Sequence, residues 1–125
     1  MKVKAAALIL LSCMAASAFS ADMPIAKLYK SYEKSGRSSD QMPEYNKVVE
    51  VSGIVMGKTV SLSGETLVSV GTRGSEAELA RASFSEATKA EKLAALKEGA
   101  AFKASCSVGF TMNSDFLPLQ GCVLK

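Results

Sequence analysis

The chain has 125 residues, a formal net charge of +3, three cysteines and no histidine. The absence of histidine excludes the usual histidine-based metal sites and acid–base pairs, and the small net charge argues against a strongly basic nucleic-acid-binding domain. The length allows a processed N-terminal segment and one small domain.

Residues 1–21 have the three parts of a secretory signal peptide. Two lysines within the first four residues form a basic start, an apolar run of about ten residues follows, and small residues lead to Ala21. The apolar run is shorter than the ~20 residues that a membrane-spanning helix needs. We therefore predict export to the periplasm, with cleavage after Ala18 or Ala21, and no transmembrane segment in the mature chain.

Cys13 opens a second processing route. The sequence Leu-Leu-Ser-Cys at 10–13 loosely resembles a lipoprotein processing box, in which the cysteine is lipidated and becomes the first mature residue. Against lipidation, the apolar stretch before Cys13 is short, Leu11 is unusual at its place, and the small residues continue past it. A released periplasmic protein is the main expectation, and an outer-membrane lipoprotein is the alternative. Loss of the two signal lysines leaves 13 basic against 12 acidic residues, a net charge of +1.

The mature chain is predicted to begin with a helix at 24–34 and a polar linker at 37–46. Pro24 suits a first helical turn, and Gly36 can end the helix. We separate this helix and linker, 22–46, from a domain that spans 47–125. The apolar positions with helical spacing are Ile25, Leu28, Tyr29 and Tyr32.

From residue 47 the sequence alternates with a period of two, which predicts β-strands. Gly53 is a candidate kink in the first of them, and the glycine-containing segment 71–78 is predicted to be a polar loop. The predicted strands cover 47–56 with a possible continuation to 62, then 66–70, and then 80–84.

One helix is predicted after the third strand. Thr88 and Glu91 have the spacing of a capping box, in which the two side chains satisfy free backbone donors at a helix start. Leu93 and Leu96 form its apolar side, and Gly99 is a predicted C-terminal cap.

The C-terminal part is predicted to be a hairpin. Apolar and polar residues alternate from 102 to 112, residues 113–115 provide turn chemistry, and 116–124 runs back. Folding the chain at this turn brings Cys106 opposite Cys122.

These two cysteines are the only ones after the signal segment, and an even count in a short exported chain indicates a disulfide. A β-bulge at Gln120–Gly121 is needed to turn Cys122 to the same face as the strand's earlier leucines. The bond should stabilise the domain by about 3 kcal/mol on the chain-entropy model.

Five strands with a helix between the third and the fourth form the element order of the OB fold, a partly open Greek-key barrel. Three segments, at 49–55, 93–99 and 106–124, resemble motifs of the bacterial tRNA_anti-like family of OB-fold proteins, many of which are described as lipoproteins. The likeness departs from the family pattern at Ala101 and Lys103. The resemblance covers residues 47–125 and implies a mainly β, five-stranded barrel, to which the predicted N-terminal helix is an addition. The family name does not by itself imply nucleic-acid binding.

We expect no catalysis, no metal and no cofactor. No histidine is present, and the mature chain has no free thiol if the two cysteines pair. Glu76 and Glu78 are interpreted as solvated charges of a surface loop.

OB barrels commonly bind ligands at the face of their second and third strands, and the fold analogy transfers this to the present chain. The leading hypothesis is a periplasmic binding module for an envelope protein or a small ligand. The alternative is an exported domain that binds single-stranded nucleic acid or another polyanion. Such binding relies on aromatic side chains on which bases stack, and the predicted middle strands offer few of them. A competing interpretation of the tyrosines is that they pack with the N-terminal helix over one end of the barrel. The candidate binding residues are Tyr45, Lys58, Arg73 and Arg81.

Overall fold

A computed structural model describes residues 22–125 of the chain. The predicted signal segment and Cys13 lie outside the described residues. Two helices, one short 3-10 turn and six strands make up the described part. In chain order these are β1 (Asp22–Pro24), α1 (Ile25–Lys34), the 3-10 turn (Ser39–Gln41), β2 (Val48–Val60), β3 (Thr66–Gly71), β4 (Ala80–Phe84), α2 (Ala90–Ala95), β5 (Ala101–Val108) and β6 (Leu117–Leu124).

Strands β2 to β6 close into a five-stranded barrel. The strand order is β2-β3-β4-β6-β5, and pairing of β2 with β5 closes the circle. The β4–β6 pair is parallel and the other four pairs are antiparallel. This is the Greek-key order of the OB fold, with α2 between the third and fourth barrel strands, so the predicted fold class is confirmed. Strand β1 adds to the sheet by pairing parallel to β2.

Strand β2 is long enough to pair with two neighbours in succession. Its first half pairs with β5 and its second half pairs with β3, with a register shift between Val55 and Gly57. Gly53 lies where the N-terminal helix meets the barrel: a Cβ atom there would be 2.7 Å from Val70 Cγ1 and 2.9 Å from Ile25 Cγ2. Only glycine allows this close approach of helix and sheet.

Helix α1 contributes to the barrel's own hydrophobic core. Ile25, Leu28 and Tyr32 lie on one face of the helix, each at most 1% exposed. Fully burying side chains of this kind stabilises a fold by about 1.5–3 kcal/mol each. Met42, in the linker, belongs to the same core. The segment 22–46 is therefore an integral part of the domain. Of the three tyrosines predicted to pack over the barrel, Tyr32 is fully buried, whereas Tyr29 and Tyr45 are partly buried against the core.

The disulfide forms where the hairpin geometry predicts it. Cys106 and Cys122 are buried, and their Sγ atoms are 2.10 Å apart. The register shifts between Ser105 and Ser107, so that Cys106 faces two residues of β6. Gly121 has a φ of +58°, a left-handed conformation that favours glycine. The predicted bulge at Gln120–Gly121 is thus present, and it turns Cys122 inward.

Helix α2 differs from the prediction at both ends. It covers only Ala90–Ala95, and no side chain caps its start. The Thr88 hydroxyl instead donates to the Cys122 carbonyl at 3.0 Å and accepts from the Leu124 amide at 3.3 Å. Gly99 lies beyond the helix and donates its amide to the Val55 carbonyl. The predicted capping box and C-terminal cap are therefore wrong, because both residues bond to barrel strands.

Candidate binding surface

The outward side chains of β3 and β4 form a small polar surface, which we call the outer face. Leu67 pairs with Ser83 and Ser69 pairs with Arg81 across the two strands. The alternating residues between them, Val68 and Ala82 among them, are buried in the core. Strict alternation along a strand therefore places these four side chains on the outside of the barrel.

Arg81, on the outer face, binds a carboxylate from the preceding loop. Its Nε donates to Glu78 Oε2 at 2.8 Å and its Nη2 donates to Glu78 Oε1 at 3.2 Å. Ser69 Oγ donates to the same Oε2 at 2.6 Å. The guanidinium carbon lies 4.1 Å from the centre of the Phe116 ring, a stacked cation–π contact. We call Glu78, Arg81 and Phe116 the arginine cluster.

The charges of this cluster compensate each other. Burial raises the pKa of the Glu78 carboxyl, but hydrogen bonds from Arg81 and Ser69, with the charge of Arg81, outweigh it and leave that pKa below its ordinary value. The same hydrogen bond raises the pKa of Arg81. Both groups are ionised around neutral pH, so the cluster presents no net charge to a ligand.

The loop at 109–116, between β5 and β6, borders the outer face through Phe116. It exposes two large apolar side chains, Phe110 at 56% and Met112 at 59%. The sequence pattern predicted a strand as far as residue 112, with both side chains on the inner face. Strand β5 ends at Val108, and this part of the prediction is wrong.

The N-terminal linker fixes the first half of this loop. Ser39 is fully buried, and its hydroxyl donates to the Gly109 carbonyl at 2.7 Å and accepts from the Thr111 amide at 2.8 Å. The backbone of Ser39 also donates to the Thr111 carbonyl at 2.9 Å. Buried hydroxyls are normally satisfied in this way, and here both bonds hold the loop.

The second half of the loop is fixed by α1 and by Arg37, three residues beyond the end of the helix. Tyr32 Oη donates to the Ser114 carbonyl and accepts from the Ser114 amide, both at 2.9 Å. Arg37 Nη2 donates to the same carbonyl at 2.6 Å. Tyr29 Oη donates to the Asp115 carbonyl at 3.0 Å. The loop is thus attached to the N-terminal segment along most of its length.

The four candidate residues do not form one surface. Arg81 is on the outer face, but Lys58 pairs with Val68 and so belongs to the inner row of side chains. Lys58 Nζ donates to the Leu93 and Ala94 carbonyls, at 3.3 and 3.2 Å, near the end of α2. Tyr45 is half-buried and forms a single β-bridge with Val108.

Arg73 lies apart from the arginine cluster, in the β3–β4 loop. It lines a groove of about 380 Å³ between that loop, β2 and the segment before β5. Glu76 and Glu98 line the same groove, and its other lining residues are apolar, glycine, serine or threonine. The mixture of one cation and two carboxylates does not select for an anionic ligand.

The residues that the sequence reasoning missed are Glu78, Phe110, Met112 and Phe116. Glu78 is predicted to be a solvated loop charge, yet its carboxylate turns back from the β3–β4 loop to the Arg81 guanidinium. Phe110 and Met112 continue the apolar alternation of β5, so no local signal separates them from core positions. Phe116 directly follows the predicted turn at 113–115, and this position at the end of a loop is the one local signal for it.

Among residues 22–125, no group of three or more cysteine, aspartate or glutamate side chains is placed to hold a metal ion. Within the same range, no helix has the length and apolar character needed to cross a membrane. The expectations of no catalysis and no cofactor stay predictions.

The fold is similar to that of solved proteins. One is a crystal structure described as a "putative nucleic acid-binding lipoprotein" from Klebsiella pneumoniae subsp. pneumoniae MGH 78578, with a TM-score of 0.66 and 15% sequence identity. The likeness covers 84% of this chain and 91% of that chain, and at this identity it shows a shared fold. No family model matches the chain, and no curated protein matches it in sequence. The OB-like fold is confirmed, and the tRNA_anti-like assignment stays a prediction.

Proposed function

We propose that this chain is a non-catalytic binding module of the bacterial envelope that holds a segment of another protein. The binding surface is the outer face together with the loop at 109–116. The observation that carries the proposal is the arginine cluster, a charge-neutral group of Glu78, Arg81 and Phe116 on the face on which OB barrels commonly bind.

A neutral cluster suits a polypeptide better than a polyanion. OB folds that bind single-stranded nucleic acid combine a basic groove with open aromatic rings on which bases stack. Here the cation is bound by a carboxylate, and its guanidinium covers the face of Phe116. The described residues have 13 basic and 12 acidic side chains, a net charge of only +1, which is too small to provide the basic groove that nucleic-acid binding requires.

The neighbouring apolar groups provide contact area for such a segment. Phe110 and Met112 are more than half exposed, and their loop is held by Ser39 and Tyr32. Exposed apolar side chains on an ordered loop are characteristic of protein interaction sites, where aromatic residues and methionine are enriched. A loop that is already ordered also loses less conformational entropy when it binds.

The experiment is site-specific photo-crosslinking in intact cells. A photoreactive residue replaces Met112 in one strain and the exposed Lys97, in the α2–β5 segment, in a control strain. We expect a reproducible protein adduct at position 112 and none at 97. The change Phe110→Ser should then reduce the adduct at 112 by about tenfold, the usual range for removing an aromatic contact. Equal adducts at both positions, or none at 112, would refute the proposal.

Binding of single-stranded nucleic acid is the second candidate, because the Klebsiella protein of the same fold is described as nucleic acid-binding. It is tested by titrating purified protein with a single-stranded oligonucleotide at low and high salt. Binding at low salt with a steep loss on adding salt would favour it, since phosphate contacts release counterions. Failure to bind at low salt would eliminate it.

A further inference from the structure

Helix α1 has a second face with a composition unlike the rest of the surface. At about 100° per residue, Lys27, Lys30 and Lys34 fall within an arc of roughly 60°. The arc lies opposite the buried face formed by Ile25, Leu28 and Tyr32. The three lysines, all exposed, therefore point directly away from the barrel. We call them the lysine face.

The lysine face is not neutralised by the protein. None of its three amines forms an ion pair with a residue of the described chain, in which the ion pairs are made by other basic residues. The spacings of three and four residues place like charges next to each other, which slightly destabilises a helix. The exposed Glu33 of the same helix also forms no ion pair within the described chain.

The space along this face is shallow and has one acidic side chain in its lining. A groove of about 260 Å³ is lined by the three lysines with Met23, Ser31 and Glu44. The Ser31 hydroxyl donates to Glu44 Oε1 at 2.8 Å, which holds this carboxylate toward the helix side of the groove. Three amines against one engaged carboxylate leave an excess of positive charge.

We propose that the lysine face rests on an anionic phospholipid surface. A membrane surface needs only positive charge on one side of the protein, and clusters of lysine on a helix supply this without a shaped pocket. The lysine face has no aromatic ring on which a base could stack and no arginine that could bind a phosphate group through two hydrogen bonds. An extended anionic surface therefore suits it better than a nucleic acid or a single phosphate.

This orientation leaves the proposed binding surface accessible. Tyr29 and Tyr32 contact the loop at 109–116 from the barrel-facing side of α1. A membrane on the opposite side of the helix does not cover this loop or the arginine cluster. The proposal stands apart from the protein partner argued above, since the two surfaces share no residue.

The expected effect is moderate and electrostatic. Each lysine at an anionic membrane surface contributes roughly fivefold to partitioning, so three give up to about a hundredfold. The contribution should decrease strongly between about 0.1 M and about 0.5 M salt, because salt screens exposed charges.

The test is vesicle flotation of protein purified from exporting cells. Vesicles of phosphatidylcholine with about one third phosphatidylglycerol are compared with pure phosphatidylcholine. The lysine-face variant carries Lys27→Gln, Lys30→Gln and Lys34→Gln. The control variant carries Lys89→Gln, Lys92→Gln and Lys97→Gln, which change the net charge equally at exposed positions around α2.

We expect the parent protein and the control variant to prefer the anionic vesicles by at least about tenfold, and the lysine-face variant to lose that preference. A lipid anchor at Cys13 would raise binding to both vesicle types without changing the difference between them. Equal binding of the parent to both compositions, or equal losses in the two variants, would overturn the proposal. Photo-crosslinking at position 112 tests the protein-binding surface separately, so a negative flotation result refutes only the membrane proposal.

Discussion

The two ends of the barrel are closed in different ways. At one end α1 inserts Ile25, Leu28 and Tyr32 into the core and binds the loop at 109–116. At the other end α2 has six residues and no fully buried side chain. There, Ser85 and Thr88, just before α2, bond to the Cys122 carbonyl, next to the disulfide.

The difference shows that the helix between the third and fourth barrel strands contributes little to this core. Leu93 and Leu96 are only partly buried against the core. Lys58 contacts α2 by hydrogen bonds from its amine to backbone carbonyls near the end of the helix. The barrel is therefore stabilised at one end by apolar burial in a helix outside the five-strand barrel. At the other end a covalent bond joins β5 and β6, and the residues before α2 bond to the same part of β6.

The largest expected effect comes from truncating one leucine in each helix. Leu28→Ala removes a fully buried side chain of α1 and should destabilise the protein by about 3 kcal/mol. Leu93→Ala, the matched change in α2, should cost less than about 1 kcal/mol because Leu93 is partly exposed. Urea unfolding followed by circular dichroism measures both. Equal losses in the two variants would show that the ends are closed alike.

The disulfide is the corresponding element at the other end. Replacing Cys106 and Cys122 together by alanine should lower the free energy of unfolding by about 3 kcal/mol, since the bond closes a loop with a sequence separation of 16. Native protein should have no alkylatable thiol until it is reduced. If Cys106 in freshly isolated native protein reacts with an alkylating agent, the bond is absent and the comparison of the two ends fails.

The same contrast explains which elements could be predicted from sequence. The strands follow from period-two alternation, and the bulge follows from the need to bring Cys122 into phase with Leu119. The capping box at Thr88 is an equally good local signal, yet it misleads. The Thr88 hydroxyl can bond either to its own helix or to β6, and only the folded barrel decides between them.

The candidate binding surface was less predictable than the fold. Arg81 is a candidate from sequence because it alternates with apolar residues of a predicted middle strand, which places its side chain outside the core. Its neutralisation by Glu78 depends on how the loop returns to the strand, and its stacking on Phe116 depends on the parallel pairing of β4 with β6. The contact between Arg81 and Phe116 joins segments distant in sequence and leaves no local pattern.

A smaller loss of stability is expected when the Tyr32 hydroxyl, which holds the loop at the α1 end, is removed. Tyr32→Phe removes the acceptor of the Ser114 amide, while the Ser114 carbonyl keeps its bond from Arg37. One partly buried donor is left unsatisfied, which should cost about 1–2 kcal/mol. The amides of residues 113–115 should also exchange faster with solvent, as hydrogen exchange followed by NMR can measure.

Tyr29→Phe is the matched control for Tyr32→Phe. The bond of Tyr29 to the Asp115 carbonyl is exposed, so water can replace it and the cost should stay below about 0.5 kcal/mol. If both variants destabilise equally and leave the exchange of residues 113–115 unchanged, α1 does not hold this loop through Tyr32.

The smallest expected effect is the pH dependence of the arginine cluster, which lies beside the loop that α1 holds. Hydrogen bonds from Arg81 and Ser69 keep the pKa of Glu78 below its ordinary value despite the opposing effect of burial. A carboxyl with a lowered folded-state pKa stabilises the protein above its unfolded pKa, about 4.3 for glutamate, and this stability is lost as pH falls through the folded value.

Parent protein should therefore lose more stability than Glu78→Gln when urea unfolding is repeated below about pH 4.3, by less than about 1 kcal/mol because the pair is partly exposed. Glu76→Gln, in the same loop, is the control, since no salt bridge joins Glu76 to Arg81 within the described chain. A parent and a Glu78→Gln variant with the same pH dependence would mean that the Arg81–Glu78 pair is not formed in solution. The guanidinium over Phe116 would then be free to bind an anion, and the outer face would suit a polyanion better than a protein segment.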